Sequence, residues 1–241
     1  MAQSVQVTRT WKRGAGELVL IIVGVLVALW IEEWRQARID GATEIQYLER
    51  LVADLEEDIR DLGNQIKHTE WRERNALNAL AFLDGTGPGD RATLEAFNIA
   101  GFIGFFRHNR ATMDDLLSTG SLALLSNKDL VRDLNNYYRS TDFLYEFDDV
   151  KKVWVWEGFR GDLDAHIPSI VMADLGRRLE GDDADTSEID WEGLRSDPII
   201  RNGLGRILGI ARVERRNLRR ALDAARELKA TIQTEHAALS S

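Results

Sequence analysis

The sequence predicts an all-α protein, in which an N-terminal transmembrane helix is followed by an antiparallel helical bundle. Leu18–Ile31 is an unbroken run of fourteen apolar residues. Elsewhere the apolar residues recur at helical spacing, and only three prolines occur among 241 residues, as is typical of long helices. We divide the chain into a short cytoplasmic tail at 1–13, a transmembrane signal anchor at 14–34 and a helical bundle domain at 35–241.

The apolar run is close to the length that a bilayer requires. Eighteen helical residues at about 1.5 Å each reach roughly 27 Å, against a hydrocarbon core of ~30 Å. Trp11 and Trp30 would lie about 28 Å apart on this helix, which suits the two interfacial belts where tryptophan is enriched. Glu17 falls at the cytoplasmic edge, where its carboxylate can reach the headgroups. The residues assigned to the anchor are Trp11, Glu17, Gly24, Ala28, Trp30 and Trp34.

A cleavable signal peptide is the alternative interpretation of this run. Cleavage requires small residues at the last and third-last positions before the cut, and Ala28-Leu29-Trp30 places a tryptophan last. We therefore favour a retained anchor. Three basic residues precede the run, and only Arg35 and Arg38 follow it closely, which favours a cytoplasmic N-terminus. The expected location is the bacterial inner membrane, with the C-terminal domain on the periplasmic or extracellular side.

The first long helix after the anchor is predicted over Ala42–Leu83. Its heptad pattern resembles a parallel coiled coil, but Leu51 widens the apolar stripe and the flanking positions are acidic. We instead expect it to pack antiparallel against the last helix of the same chain, at 198–238. The segment 42–61 has a net charge of −5 and the segment 201–229 a net charge of +6, so the two attract. The other long helices are predicted at 91–120, with a break, and at 127–165.

Shorter signals mark the boundaries of these helices. Thr112 is predicted to cap a short helix that Gly120 ends, and Ser126 is predicted to cap the next long one. Asp197-Pro198 is a helix start, and Gly205 and Gly209 are predicted to form a close packing point. The segment 181–196 is predicted as an acidic loop, with calcium binding as a minority alternative because the required glycine is missing. The expected core of the second helix is Phe97, Phe102, Ile103, Phe105 and Phe106.

Two stretches resemble a family of bacterial single-pass membrane proteins of unknown function. In that family a Gly-Glu-Ile/Leu start leads into the span, and a Thr-x-Asp-Asp-Leu segment with later Gly, Asn-Lys and Tyr-Tyr follows the first long helix. The residues that carry the resemblance are Gly16, Glu17, Thr112, Asp114, Asp115, Leu116, Gly120, Leu122, Leu125, Asn127, Lys128, Leu130, Tyr137 and Tyr138. The resemblance implies a membrane anchor and a helical domain, and it implies no activity.

The third long helix carries two aromatic stripes, although packing against a core requires only one. Phe143, Phe147, Val150 and Trp154 share one face, and Tyr138, Tyr145 and Trp156 share another. The second stripe must be covered by another helix, a partner chain or a ligand. Additional packing within the chain is the commoner solution. We also predict that the stripe contributes, together with Gly24 and Ala28 in the anchor, to a homo-oligomer. The residues assigned to a possible interface are Tyr138, Tyr145, Trp154 and Trp156.

Composition and motifs favour a protein that is not an enzyme. A formal net charge of −9 argues against nucleic acid as a partner, and the absence of cysteine removes thiolate catalysis. The four histidines lack metal-binding spacing, so no catalytic residue, cofactor or metal is predicted. The predicted partners are the lipid bilayer and either a second copy or another envelope protein.

The predicted function is an interaction or scaffold role, as an accessory subunit of a bacterial envelope complex. The alternative is a ligand-sensing periplasmic bundle, in which the aromatic helix lines a pocket. Such sensors normally carry a second span or an output domain, and the sequence shows neither, so the interaction role is favoured.

Overall fold

The structure is a computed structural model that describes residues 7–177 and 189–240. Side chains are described from Leu18 onward, apart from Val19 and residues 173, 174, 176 and 177. Within these ranges the elements are helical, in the order α1 (Val7–Leu83), α2 (Arg91–Ala100), α3 (Ala111–Ser118), a 3₁₀ turn (Ser121–Leu124), α4 (Lys128–Lys151), a π-helix (Lys152–Phe159), α5 (Arg160–Leu163), α6 (Ser169–Arg177), α7 (Trp191–Ser196) and α8 (Pro198–Leu239). The all-α prediction is confirmed for the described residues.

The first helix is longer than predicted, because the anchor segment and the first bundle helix form one continuous α1. The expected start near Ala42 is therefore wrong as a helix boundary. Residues 35–43 contain no proline, and the lone Gly41 lowers helix propensity without stopping the helix. α1 ends where predicted, at Leu83, and Gly85 follows in the left-handed conformation at φ 79°.

α1 and α8 pack antiparallel along most of the bundle, as predicted. Ion pairs join successive levels of the two helices. Asp84 meets Arg201 at 2.7 Å, Glu70 meets Arg219 at 2.7 Å, Glu56 meets Lys229 at 2.7 Å and Glu49 meets His236 at 3.2 Å. Since residue numbers rise on α1 as they fall on α8, the chain after α8 returns to the end of the bundle where α1 enters it.

The helix predicted at 91–120 is helical only in part, beyond the single break that was expected. After α2 the chain is not helical over 102–110, because Gly101 and Gly104 interrupt the helical run. Phe102 and Phe105, expected in the core, are 47% and 45% exposed. Phe97, Ile103 and Phe106 are buried as predicted. We name residues 101–127, which include α3 and the 3₁₀ turn, the descending segment.

The predicted helix caps have mixed outcomes. Asp197 accepts a hydrogen bond from the Ile199 N–H at 2.7 Å and caps α8 as predicted. Gly120 is left-handed at φ 72°, as expected of a residue that ends a helix. Ser126 is not the cap of α4, since the side chain of Asn127 accepts from the first N–H groups instead. Thr112 lies within α3, which begins after Arg110, so the predicted cap at Thr112 is wrong. Its backbone N–H instead donates to Asp54 of α1.

We name α4, the π-helix and α5 together the third arm. It ends at Leu163, close to the predicted end at 165, but it contains a π-helix at Lys152–Phe159 that no sequence signal indicated. A short helix, α6, follows Pro168. The predicted acidic loop is partly wrong, because Trp191–Ser196 is the helix α7, capped by Asp190. Residues 178–188, which include most of that loop's carboxylates, lie outside the described residues.

Two apolar clusters form the interior, one above the other along the helices. One is built around Phe82, Phe97 and Phe159, and the other around Leu55, Tyr137 and Leu218. Gly203 in α8 allows close packing in the first cluster, since a Cβ there would come 2.7 Å from Phe159 Cδ2. At Gly205 and Gly209 a Cβ would have no such heavy atom within 4 Å. The close packing point predicted at these two glycines is therefore wrong within the chain.

The described part of the chain contains no helix that combines the length and the apolarity needed for a membrane span. The predicted span at 14–34 is described only in part, since the side chains of residues 14–17 and of Val19 lie outside the described residues, as does that of Trp11 before it.

Candidate interaction surface

Acidic residues of α1 bind the descending segment within the chain. Asp54 Oδ2 accepts the Thr112 N–H at 2.9 Å, and Glu44 Oε1 accepts the Ser126 N–H at 2.6 Å. Asp58 accepts the Asn109 N–H at 2.7 Å. Three of the seven carboxylates that predicted attraction to α8 therefore hold the descending segment along α1 through its backbone N–H groups, whereas Glu49 and Glu56 do pair with α8.

Asp58 is the most buried of these carboxylates, and its oxygens have two donors. Besides the Asn109 N–H, the Tyr137 hydroxyl donates to it at 2.7 Å. Burial raises the pKa of Asp58 to about 6, although both hydrogen bonds favour its charged form. Burial beside this carboxylate also raises the pKa of Tyr137. The Asp58–Tyr137 pair thus ties α1 to α4 in the second apolar cluster.

A buried ionic cluster lies between the two apolar clusters. Lys151 Nζ is 2.7 Å from Glu214 Oε1, 2.7 Å from Asp148 Oδ1 and 2.7 Å from the Gly104 carbonyl oxygen. Arg72 forms an ion pair with the other oxygen of Glu214. The positive charges of Arg72 and Lys151 are thus matched by the negative charges of Glu214 and Asp148, as buried charges require. Sequence reasoning missed this cluster, because Arg72 and Glu214 are distant in the chain from Asp148 and Lys151, and the four residues share no motif.

The residues predicted as an interface do not form one surface. Tyr138 is buried, and its hydroxyl donates to the Asn109 carbonyl at 3.3 Å. Tyr145 is half-buried, and its hydroxyl accepts the His108 N–H at 3.0 Å. Both tyrosines therefore pack on the descending segment. Trp156 is 44% exposed and has the Arg160 guanidinium 4.7 Å from its ring centroid.

The other aromatic stripe, which begins on α4 and ends on the π-helix, remains exposed. Phe143 is 52%, Val150 40% and Trp154 51% exposed, and Phe147 is half-buried between them. This stripe runs beside α8, which is antiparallel to α4. We name the stripe and the neighbouring side of α8 the α4–α8 face. Its members are Phe143, Phe147, Val150 and Trp154 of the third arm, with Arg206, Val213, Arg216 and Arg220 of α8.

Shallow grooves follow the seam of the α4–α8 face. One has a volume of about 280 Å³ and is lined by Trp154, Phe159, Ile199 and Arg206, among others. The Arg206 guanidinium lies 5.2 Å from the centre of the Trp154 ring. A second groove is lined by Phe143, Leu144, Arg220 and Ala221. Apolar floors with basic side chains at the rim are suited to binding another protein surface.

The anchor residues that are described lie on a helix without neighbours from the bundle. Trp30 is 67% and Trp34 57% exposed, and the Arg38 guanidinium lies 5.0 Å from the Trp34 ring. A Cβ at Gly24 would have no such heavy atom within 4 Å, so this small residue is accessible to another helix. Ala28 is likewise exposed.

Comparison of the chain with protein-family models, with curated proteins and with solved structures finds no match. Among the described residues, no group of three or more acidic or histidine side chains is arranged to hold a metal ion.

Proposed function

We propose that this chain is a membrane-anchored helical protein of the bacterial envelope, which acts by binding other proteins and not by catalysis. The observation that carries the proposal is the exposure of the apolar run around its whole circumference. Leu20 is 76%, Ile21 62% and Leu26 59% exposed. Apolar surface of this extent is costly in water and favourable in hydrocarbon. The resemblance to single-pass membrane proteins supports the same proposal.

The test of the anchor is extraction of membranes with alkaline carbonate, which releases peripheral proteins. We expect the full chain to stay with the membranes and a variant lacking residues 1–34 to be released. A full chain that is released, or that sediments only as an aggregate, would contradict the anchor.

The proposed orientation places the bundle on the periplasmic or extracellular side. The chain has no cysteine, so Ser118→Cys introduces a single thiol at an exposed position. A maleimide that cannot cross the inner membrane should label this thiol in cells with a permeabilised outer membrane. Labelling only after the inner membrane is disrupted would indicate the opposite orientation.

The binding role is supported by the α4–α8 face, whose exposed aromatic residues no other described element covers. A ligand-sensing bundle is the second candidate, and the groove beside Trp154 is the observation that favours it. Its volume of about 280 Å³ is at the lower limit of ligand pockets, which measure roughly 300–1,000 Å³. Native mass spectrometry of protein purified from membranes distinguishes the two roles, since a sensor should retain a small molecule of constant mass.

A further inference from the structure

We propose that the α4–α8 face binds a second copy of this chain, about a two-fold axis that runs along the membrane normal. The proposal rests on the proposed anchor, because two copies that enter one bilayer from the same side can be related by a two-fold axis only in that direction. It names a partner and a surface for the binding role.

The register between α4 and α8 follows from two contacts. Lys151 is paired with Glu214, and the Asn127 side chain donates to Glu235 at 2.8 Å. Since the helices are antiparallel, Glu146 is level with Asn217, within about one turn. By the same register, Arg139 is level with about Ala224.

Charged residues border the apolar stripe on both sides. On the α4 side lies Glu146, and on the α8 side lie Arg216 and Arg220, all three exposed and without an ion pair to the described residues. Farther along, Arg139 lies on the α4 side and Glu227 on the α8 side. At these two levels, each edge therefore carries the charge opposite to that of the other edge.

A two-fold axis along the helices makes this pattern self-complementary. The rotation places α4 of one copy opposite α8 of the other and leaves every residue at its own level. Glu146 then faces Arg216 and Arg220 of the other copy, and Arg139 comes within about one turn of Glu227. The exposed aromatic stripes meet between these charged edges, as in the apolar centre and polar rim of stable interfaces.

Confinement to a bilayer strengthens such a contact. Two anchored copies share a thin layer, and their effective concentration is far above that in bulk solution. Two copies can therefore associate through an interface whose apolar centre is a single stripe of side chains. They do not need the large buried area that a soluble dimer requires.

The first test is disulfide cross-linking of the full chain in native membranes. The double variant Glu146→Cys with Arg220→Cys should give a band of twice the chain mass on mild oxidation. Each single variant is the control and should give much less, because the two-fold axis places identical residues on opposite sides of the interface. Equal cross-linking by the single variants would overturn the proposed geometry.

The second test is a charge exchange, measured by energy transfer between labelled copies in proteoliposomes. Glu146→Arg or Arg220→Glu alone should weaken association at least tenfold, and the two changes together should restore it. Lys67→Glu, an exposed change on α1, is the matched control and should have no effect. Phe143→Ser should weaken association without changing the helical circular dichroism.

Failure of this proposal is distinguishable from failure of the anchor. A chain that stays in carbonate-washed membranes, but neither cross-links nor responds to charge exchange, overturns the dimer alone. A chain that leaves the membranes overturns the anchor. The same variants are then cross-linked in solution, where absence of the double-mass band overturns the dimer as well.

Discussion

Buried charge is concentrated at one level of this bundle, where Arg72, Lys151 and Glu214 are each at most 3% exposed. Taking such groups out of water costs several kcal/mol per ion, which their mutual attraction must offset. Removal of one partner therefore costs more than its own contacts, because the remaining charges lose their compensation. Glu214 is the member that binds both cations, and it is the residue on which the cluster depends.

We expect Glu214→Gln to lower the free energy of unfolding by about 3–5 kcal/mol, since two buried cations would lose their shared carboxylate. Glu70→Gln is the matched control. It removes the half-exposed ion pair with Arg219 and should cost less than about 1 kcal/mol. Denaturant titration of both variants in mild detergent measures the difference. Equal losses would contradict a central role for Glu214.

Asp58 should make stability depend on pH in an unusual direction. Its pKa is raised to about 6 in the folded chain, so between about pH 4 and pH 6 the folded state binds more protons than the unfolded state. Stability is therefore greatest below the unfolded pKa and falls as pH rises through the folded pKa. Between pH 4 and pH 7 the free energy of unfolding of the wild type should therefore fall by about 2 kcal/mol more than that of Asp58→Asn.

The measurement for Asp58 is a series of unfolding curves at several pH values for both proteins. Other carboxylates titrate in both chains and cancel in the difference. The nearby Asp54 and Asp61, which add to the raised pKa, are also common to both. A difference that does not change between pH 4 and pH 7 would show that Asp58 titrates normally.

At the scale of the elements, glycines of α8 allow a test with an internal control. Gly203→Ala should destabilise the fold by about 1–3 kcal/mol, since the new Cβ would lie 2.7 Å from Phe159 Cδ2 and the core would be overpacked. Gly205→Ala, on the same helix with open space around it, should instead stabilise it by about 0.5–1 kcal/mol. Thermal unfolding by circular dichroism measures both, and the same sign for both would contradict the packing.

Local signals predicted some of the element boundaries, and a long-range contact explains one that was missed. The end of α1, the left-handed Gly120 and the Asp197 cap depend on neighbouring residues, so the sequence shows them. The start of α3 is capped from α1 by Asp54, which lies far from Thr112 in the chain. No spacing rule could identify that pairing before the fold was known.

The candidate surface was predicted only in part, for a similar reason. Helical spacing predicted two aromatic stripes on the third arm, one too many for a single core. It could not show that residues 105–110 lack helix and cover Tyr138 and Tyr145. The stripe left exposed is therefore the one that includes Phe143, and of the four predicted interface residues only Trp154 belongs to it.

At the scale of the molecule, the described part of the bundle is built without contacts from the described side chains of the apolar run. The side chains from Leu20 to Arg38 are exposed, and those with side-chain partners bind within their own helix, as Arg35 does with Glu32. We expect a fragment of residues 35–241 to fold as the full chain does, with the same near-ultraviolet circular dichroism and cooperative unfolding. A fragment with helix but no fixed aromatic signal would show that the run stabilises the bundle.

The unbroken α1 fixes a rotation as well as a distance between the apolar run and the bundle. Each inserted residue turns the helix by about 100°, so two inserted after Arg35 would turn the bundle by about 200°, whereas seven would return it to within about 20°. If copies pair through Gly24 and Ala28 and through the α4–α8 face together, the two-residue insertion should abolish their cross-linking and the seven-residue insertion should preserve it. α1 would then transmit rotation as a rigid helix. The number of residues between the anchor contact and the bundle would decide whether both contacts can form at once.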